Sequence, residues 1–315
     1  APPVLRNIEL WVNELRVSGF DERKGWATTT NANVKLADLA TLQGSFRRQT
    51  DGFGSLSSTL DERRQADNTN WSARAELNLD ALLPEQQGWR IPVTMQVQSS
   101  RTEPRFDPKR GDVRVQEVKD QFDALPDSTI NRQFGDLYPQ EQSPDAIRQT
   151  LKDSVEQASQ TYNFQRTVTA NLSKSGSDSW WMRKTVDALS LNFSYLNRTG
   201  RSPQLSVDEK WSWQGSFDYQ IDFGKGRTVK PLGFLPDVPV LGSLGDVAFN
   251  YVPTSLSFSG SANRGVSTTR NRPTRRTGLE TRDRPVRITK PFRENQNFSH
   301  RRNFSLQYDP FSVLS

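Results

Sequence analysis

Apolar and polar residues alternate one for one along much of this chain, and that period limits the fold more than any other feature. Trp71, Ala73, Ala75, Leu77 and Leu79 share one parity, while Ser72, Arg74, Glu76 and Asn78 share the other. Ile91, Val93, Met95 and Val97 oppose Thr94, Gln96 and Gln98. Phe164, Val168 and Ala170 oppose Gln165, Thr167 and Asn171, with Arg166 breaking the apolar side. Leu191, Phe193 and Tyr195 oppose Asn192 and Ser194, and Trp213, Phe217 and Ile221 oppose Gln214, Ser216 and Asp218. A β-strand sends successive side chains to opposite faces, so each run reads as a strand with one apolar and one polar face. Weaker versions cover 26–36, 42–49 and 303–308.

Strands of roughly 9–12 residues match the length that a tilted barrel strand needs to cross a bilayer. Hydrophobic residues are only 33% of the 315, yet aromatics reach 10%. The aromatic content argues against pervasive disorder, which is poor in such residues. No run approaches the ~18 consecutive apolar residues of a membrane helix. A sandwich, a solenoid or a transmembrane barrel remains. The connections favour the barrel: 37–41, 80–90 and 173–187 are short to middling, whereas 50–70, 100–161 and 263–299 are long, polar and charged. Outer-membrane barrels pair short periplasmic turns with long external loops in this way. Tryptophans agree, with Trp26, Trp71, Trp211 and Trp213 at the loop ends of strands and Trp89, Trp180 and Trp181 near the inner turns. Two aromatic levels are what interfacial girdles produce.

Within 100–161 one helix is expected: Ser143 suits the N-cap, Pro144 the first helical position, and Ala146, Leu151 and Val155 form a sparse apolar stripe through Gln157. Gly224-Lys225-Gly226 reads as a turn closing a strand pair. The Pro- and Gly-rich stretch 232–244 suits a barrel rim or a partial plug.

Catalytic chemistry is poorly provided for. Cysteine is absent and His300 is the single histidine, which leaves no thiolate and only one imidazole for a metal or a catalytic base. Neighbouring carboxylates at Asp21-Glu22, Asp61-Glu62 and Asp208-Glu209 sit in expected loops, where such pairs are solvated surface. Gly52-Phe53-Gly54 lacks the rest of a phosphate loop. Between Arg264 and Arg302 twelve basic residues face three acidic ones, so the formal charge of +6 is concentrated there. The segment has few aromatics for base stacking, so nucleic acid is not the expected partner. Arg275, Arg276, Arg282 and Arg284 are instead candidates for contact with anionic lipid heads or a partner protein.

The opening Ile8-Glu9-Leu10-Trp11-Val12-Asn13-Glu14-Leu15-Arg16-Val17, with Phe20-Asp21 and Gly25-Trp26-Ala27 after it, resembles the SprA (Sov) family. That family comprises outer-membrane translocons of the Bacteroidetes type IX secretion system, required for gliding motility. The likeness continues through Lys35-Leu36-Ala37-Asp38, Gly52-Phe53-Gly54-Ser55, Glu62-Arg63-Arg64, Arg90-Ile91-Pro92-Val93, Leu191-Asn192-Phe193-Ser194-Tyr195 and Asn303-Phe304-Ser305-Leu306-Gln307-Tyr308-Asp309. The resemblance implies a very wide single-chain barrel passing folded cargo from periplasm to cell surface. It also implies a lateral opening and three kinds of partner: a plug protein, the PorV shuttle and secreted cargo. No catalytic, cofactor or metal residues come with it.

The expected fold is therefore all-β: a segment of a very large antiparallel transmembrane β-barrel with long external loops and one short loop helix. Residues 1–25 would close an external cap, with Ile8–Val17 as its last strand, and 26–315 would supply about nine barrel strands of a longer protein. Arg74, Glu76, Asn78, Gln96, Asn192, Gln214 and Asp218 are expected to face a water-filled lumen, and Ala75, Leu77, Val97, Phe217 and Ile221 to face lipid. The expected role is protein conduction in the outer membrane, without enzyme activity or cofactor. A porin or receptor barrel and a soluble adhesive or structural β-protein are the alternatives.

Overall fold

The computed structural model describes residues 25–54, 65–138, 140, 143–223, 228–229, 248–272 and 292–312. Nine strands form one antiparallel path: β1 (Ala27–Leu36), β2 (Ala40–Gln49), β3 (Ala66–Asn78), β4 (Pro92–Pro104), β5 (Thr161–Lys174), β6 (Leu189–Arg201), β7 (Leu205–Asp222), β8 (Ser255–Asn271) and β9 (Arg293–Gln307). Each strand pairs with the next in this order, and the two-residue strand Trp89–Arg90 adds to β5. Chain order equals spatial order, so the sheet is a meander. The antiparallel β architecture is as expected. Among the described residues β1 and β9 each have one strand neighbour, so the sheet is open there.

The connections fall at two ends. At one, the turn end, lie 37–39, 79–91, 175–188 and 223–254; at the other, the loop end, lie 50–65, 105–160, 202–204 and 272–292. The turn end thus also carries a long connection. Part of it, Thr228–Val229 and Ala248–Asn250, forms a small sheet with Phe311–Ser312. Gly224-Lys225-Gly226 and all of 232–244 lie outside the described residues, and so does Ile8–Val17.

Two expectations need correction. First, β8 and β9 reach far into 263–299, leaving 272–292 as the connection. Residues such as Ser267, Thr268 and Thr269 are polar on both faces, so alternation fades while backbone pairing to β9 continues. Second, the chain has more than one helix. The 105–160 insertion holds α1 (Val115–Asp123), α2 (Asp127–Phe134) and α3 (Pro144–Ser159), and 175–188 holds α4 (Trp180–Thr185).

The expected α3 is built as its sequence suggests, with the Ser143 hydroxyl accepting from Ala146 N at 3.2 Å and Pro144 in the first turn. The sequence pattern concealed α1 and α2 because each offers a single buried position, Val118 and Ile130. Pro126 separates them, lacking the N–H to continue α1. Their apolar residues make sense only together. Ile130, Ile147 and Leu151 are buried under Phe122, Leu125, Phe134 and Tyr138. Arg148 of α3 secures the end of α1, donating to Leu125 O at 2.7 Å and Phe122 O at 3.3 Å while pairing with Asp127 and Asp145. Its guanidinium is held above the usual range by the Asp127 hydrogen bond first and by Asp145.

This insertion owns most of the conventional core. Of the buried hydrophobic residues described, Val118, Ile130, Ile147 and Leu151 belong to it, and only Ala40 and Ile221 belong to the nine strands. The sheet has almost no interior of its own.

Candidate functional site: a sheet with two unlike faces

Residues directly opposite on antiparallel strands project to the same side, so the register defines each face across all nine strands. One row runs Lys35, Thr41, Glu76, Thr94, Thr169, Ser194, Gln214, Asn263, Ser299. Every member is polar. The adjacent row on the other side runs Val34, Leu42, Ala75, Met95, Val168, Tyr195, Trp213, Arg264, Phe298, apolar but for one arginine.

The seven polar residues singled out from the sequence share the first face. Arg74 stands opposite Gln96, Asn192 opposite Ser216 and Asp218 opposite Ser259. Glu76 and Gln214 lie in the polar row itself. Asn78 shares the parity but has a local job, donating from Nδ2 to Asp38 O at 3.0 Å to fasten the β1–β2 turn. Arg74 donates to Glu76 at 2.7 Å, so the charges at the middle of this face neutralise each other. Neutral pairs fill the space around them, including Ser45 with Ser72 at 2.8 Å. Such a surface is hydrated and carries little net charge.

Most of the opposite face is apolar and exposed among the described residues, apart from its turn end, where Ile221 is buried and the Tyr219 hydroxyl donates to Lys184 O of α4 at 2.6 Å. Val34 is 48% exposed, Met95 45%, Phe193 46% and Phe304 67%. Ala75, Leu77, Val97, Phe217 and Ile221 belong to this face by register. Large rings interlock with small partners here. Trp71 and Phe164 approach to 6.2 Å over Ser99, which pairs with both. Among the described residues, no second layer of strands or helices packs on these rows.

At the loop end the insertion is clamped onto the sheet by residues that the sequence reading did not single out. Arg101 of β4 donates to Gln160 at 2.8 Å and to Glu156 at 2.8 Å, while Lys119 of α1 reaches the same carboxylate at 2.6 Å. Arg272, just past β8, donates to Gln157 O at 2.8 Å and Ser202 O at 3.0 Å. The insertion therefore joins two distant stretches of the rim, at β4 and β8. No local signal could reveal this, because the partners are far apart in sequence. Arg275, Arg276, Arg282 and Arg284 lie outside the described residues. Among the described residues, no group of acidic and histidine side chains has the arrangement of a metal site.

Residues 4–118 match the SprA_N family, described as a motility related/secretion protein. Over that span the chain is similar to the SprA family. The matched span takes in β1 to β4 and stops within α1, so the resemblance noted at Ile8–Val17 and through Arg90-Ile91-Pro92-Val93 falls inside it. No curated protein matches the chain. The match supports a motility- or secretion-related protein.

Proposed function

We propose that the nine strands are part of the wall of a protein-conducting channel in a bacterial outer membrane, of the kind that type IX secretion and gliding motility require. The observation that carries this reading is the apolar face, continuous over nine strands and, among the described residues, without a second layer on it. In water a contiguous exposed apolar patch beyond a few hundred Å² is a liability. Lipid is the solvent in which it is favourable, with the polar face then turned to an aqueous lumen.

The slant of the apolar band supports the reading. Constant register leads from Leu77 on β3 to His300 on β9, yet the last apolar residue of that face on β9 is Leu306, six residues farther after six strand steps. The band slips by about one residue, ~3.3 Å, for each ~4.8 Å between strands. That is a tilt of roughly 35°, close to the ~35–45° of transmembrane barrel strands.

On this reading the chain is a non-enzymatic conduit. Its partners, by family likeness, are a plug protein, PorV and folded cargo moving from periplasm to cell surface. The polar face carries charges of both signs, among them Lys35, Asp218 and Arg301, and at its middle Arg74 is neutralised by Glu76, which suits passage of proteins of varied charge. A photo-crosslinking amino acid at Asn192 of the full-length protein in secreting cells should capture secreted cargo, and one at Phe193 should not. Capture at Phe193 in preference to Asn192 would overturn the assignment of faces, and capture at neither would overturn the conduit.

A further inference from the structure

The apolar face is interrupted by arginines at one border only. Following each strand toward the loop end, the apolar run meets Arg48 after Phe46 on β2, Arg166 after Val168 on β5, Arg264 after Ala262 on β8 and Arg302 after Phe304 on β9. Register places each on the apolar side: Arg48 opposite Thr28, Arg166 opposite Val97, Arg264 opposite Trp213 and Arg302 opposite Gly260. From β2 to β9 the positions climb with the band, by roughly one residue per strand of its ~3.3 Å rise. They lie just inside its loop-end border, where Phe164, Val266 and Phe298 follow Arg166, Arg264 and Arg302 on the same face.

Three of them rest on rings. The Arg48 guanidinium is 5.4 Å from the Trp26 ring centre, Arg166 is 5.9 Å from Phe164 and Arg264 is 5.8 Å from Trp211. A guanidinium over a ring keeps N–H groups available to donate, and one of those on Arg166 is used by Asn197 Oδ1 at 3.3 Å. Counter-charges are scarce. The nearest carboxylate oxygen to Arg48 is 4.0 Å away, on Asp67. Among the described residues no ion pair engages Arg166, Arg264 or Arg302. Other arginines are matched, Arg74 with Glu76, Arg198 with Asp208 and Arg148 with two aspartates, although among the described residues Arg201 and Arg270, on the same side of the sheet nearer the loop end, have no ion pair either. The carboxylates on this side, such as Glu209 and Glu294, stand farther toward the loop end than the band's edge.

We propose that Arg48, Arg166, Arg264 and Arg302 form a belt that holds the phosphate groups of anionic lipids at the loop-end border of the apolar face. The inference rests on the membrane reading and extends it to a lipid class. Guanidinium groups form paired hydrogen bonds to phosphate oxygens, and the ring beneath three of them reduces the entropy lost on binding. The turn-end border is different in kind. Lys174 lies over Trp89 there at 5.9 Å, but its ammonium is already bound to Asp187 at 3.4 Å. The belt therefore gives the two membrane borders unequal lipid preference.

The test uses the full-length protein reconstituted into phosphatidylcholine vesicles with and without phosphatidylglycerol, with retained lipid counted by native mass spectrometry. Wild type should retain phosphatidylglycerol in preference to phosphatidylcholine. Each of Arg166→Gln, Arg264→Gln and Arg302→Gln should weaken the preference about fivefold, and the triple variant should abolish it. Arg301→Gln, one residue from Arg302 on the polar face, should leave it intact. A wild type with no preference, or a triple variant that keeps it, overturns the belt while insertion into phosphatidylcholine leaves the membrane reading standing. A wild type that enters neither vesicle overturns both.

Discussion

Phe217 lies across Gly260, its register partner on β8, so closely that a Cβ on Gly260 would stand 2.4 Å from Phe217 Cε1. The same ring meets Phe258 at 5.1 Å, which closes the space that Gly260 leaves open. Here the apolar face is packed sideways, ring into notch, rather than against a second layer. Gly260→Val should therefore cost about 1–3 kcal/mol by overpacking. Gly44 has no atom within 4 Å of the equivalent Cβ position, so Gly44→Ala should be neutral or slightly stabilising. Thermal unfolding of the two variants in detergent checks the contrast, and equal losses would contradict it.

The two faces should differ in tolerance to charge. Ala75→Arg puts a guanidinium into the middle of the apolar row, costing ~2–4 kcal/mol if that row faces lipid. Gln96→Arg, on the polar face, should change stability by no more than about 0.5 kcal/mol. Equal folding yields of the two variants in vesicles would argue against a lipid-facing side.

Acid should loosen the helical insertion. The hydrogen bond from Lys119 holds the Glu156 carboxyl below its ordinary 4.5, outweighing the burial that opposes ionisation, and the charges of Lys119 and Arg101 add to it. A carboxyl whose value is lowered by folding contributes its full stabilisation above the ordinary glutamate range, and loses it as pH falls through that range to the folded value. Protection from hydrogen exchange in α1 and α3, taken relative to the intrinsic rate at each pH, should accordingly fall on acidification below about pH 4.5, more in wild type than in Glu156→Gln, which has no charge to lose. An identical acid response in the variant would remove Glu156 as the cause.

Topology predicts labelling. Antiparallel strands reverse side at every connection, so one located loop places all the others. The chain has no native cysteine. With the loop end outside, Gln149→Cys on α3 should react with an impermeant thiol reagent in intact cells, and Asp38→Cys in the β1–β2 turn should not. The reverse pattern would invert the orientation. Reaction at both sites would mean that the sheet does not separate two compartments.

Much of the fold is legible in the residues because a strand's side-chain period is a local property. The alternation at 71–79 or 211–223 needs no partner to be recognised, and it already sorts Arg74, Gln96 and Gln214 from Ala75, Val97 and Phe217. The capped start of α3 is equally local, since Ser143 and Pro144 act within one turn. Other features became visible only once the chain was folded. The long polar ends of β8 and β9 are held by backbone pairing, to which side-chain pattern is blind, and α1 and α2 exist because Ile130, Ile147 and Leu151 find one another. The clamp from Arg272 to Gln157 spans contacts with no sequence neighbourhood at all. The arginine belt is the plainest case. In the sequence Arg166 is merely a break in an apolar run, and Arg48, Arg264 and Arg302 are surface charges; it is the slip of about one residue of ~3.3 Å per strand that brings them into one line just inside the loop-end border. Alternation determines which face a residue joins, and the stagger of the strands, a property of the sheet and not of any strand, determines the height at which it stands.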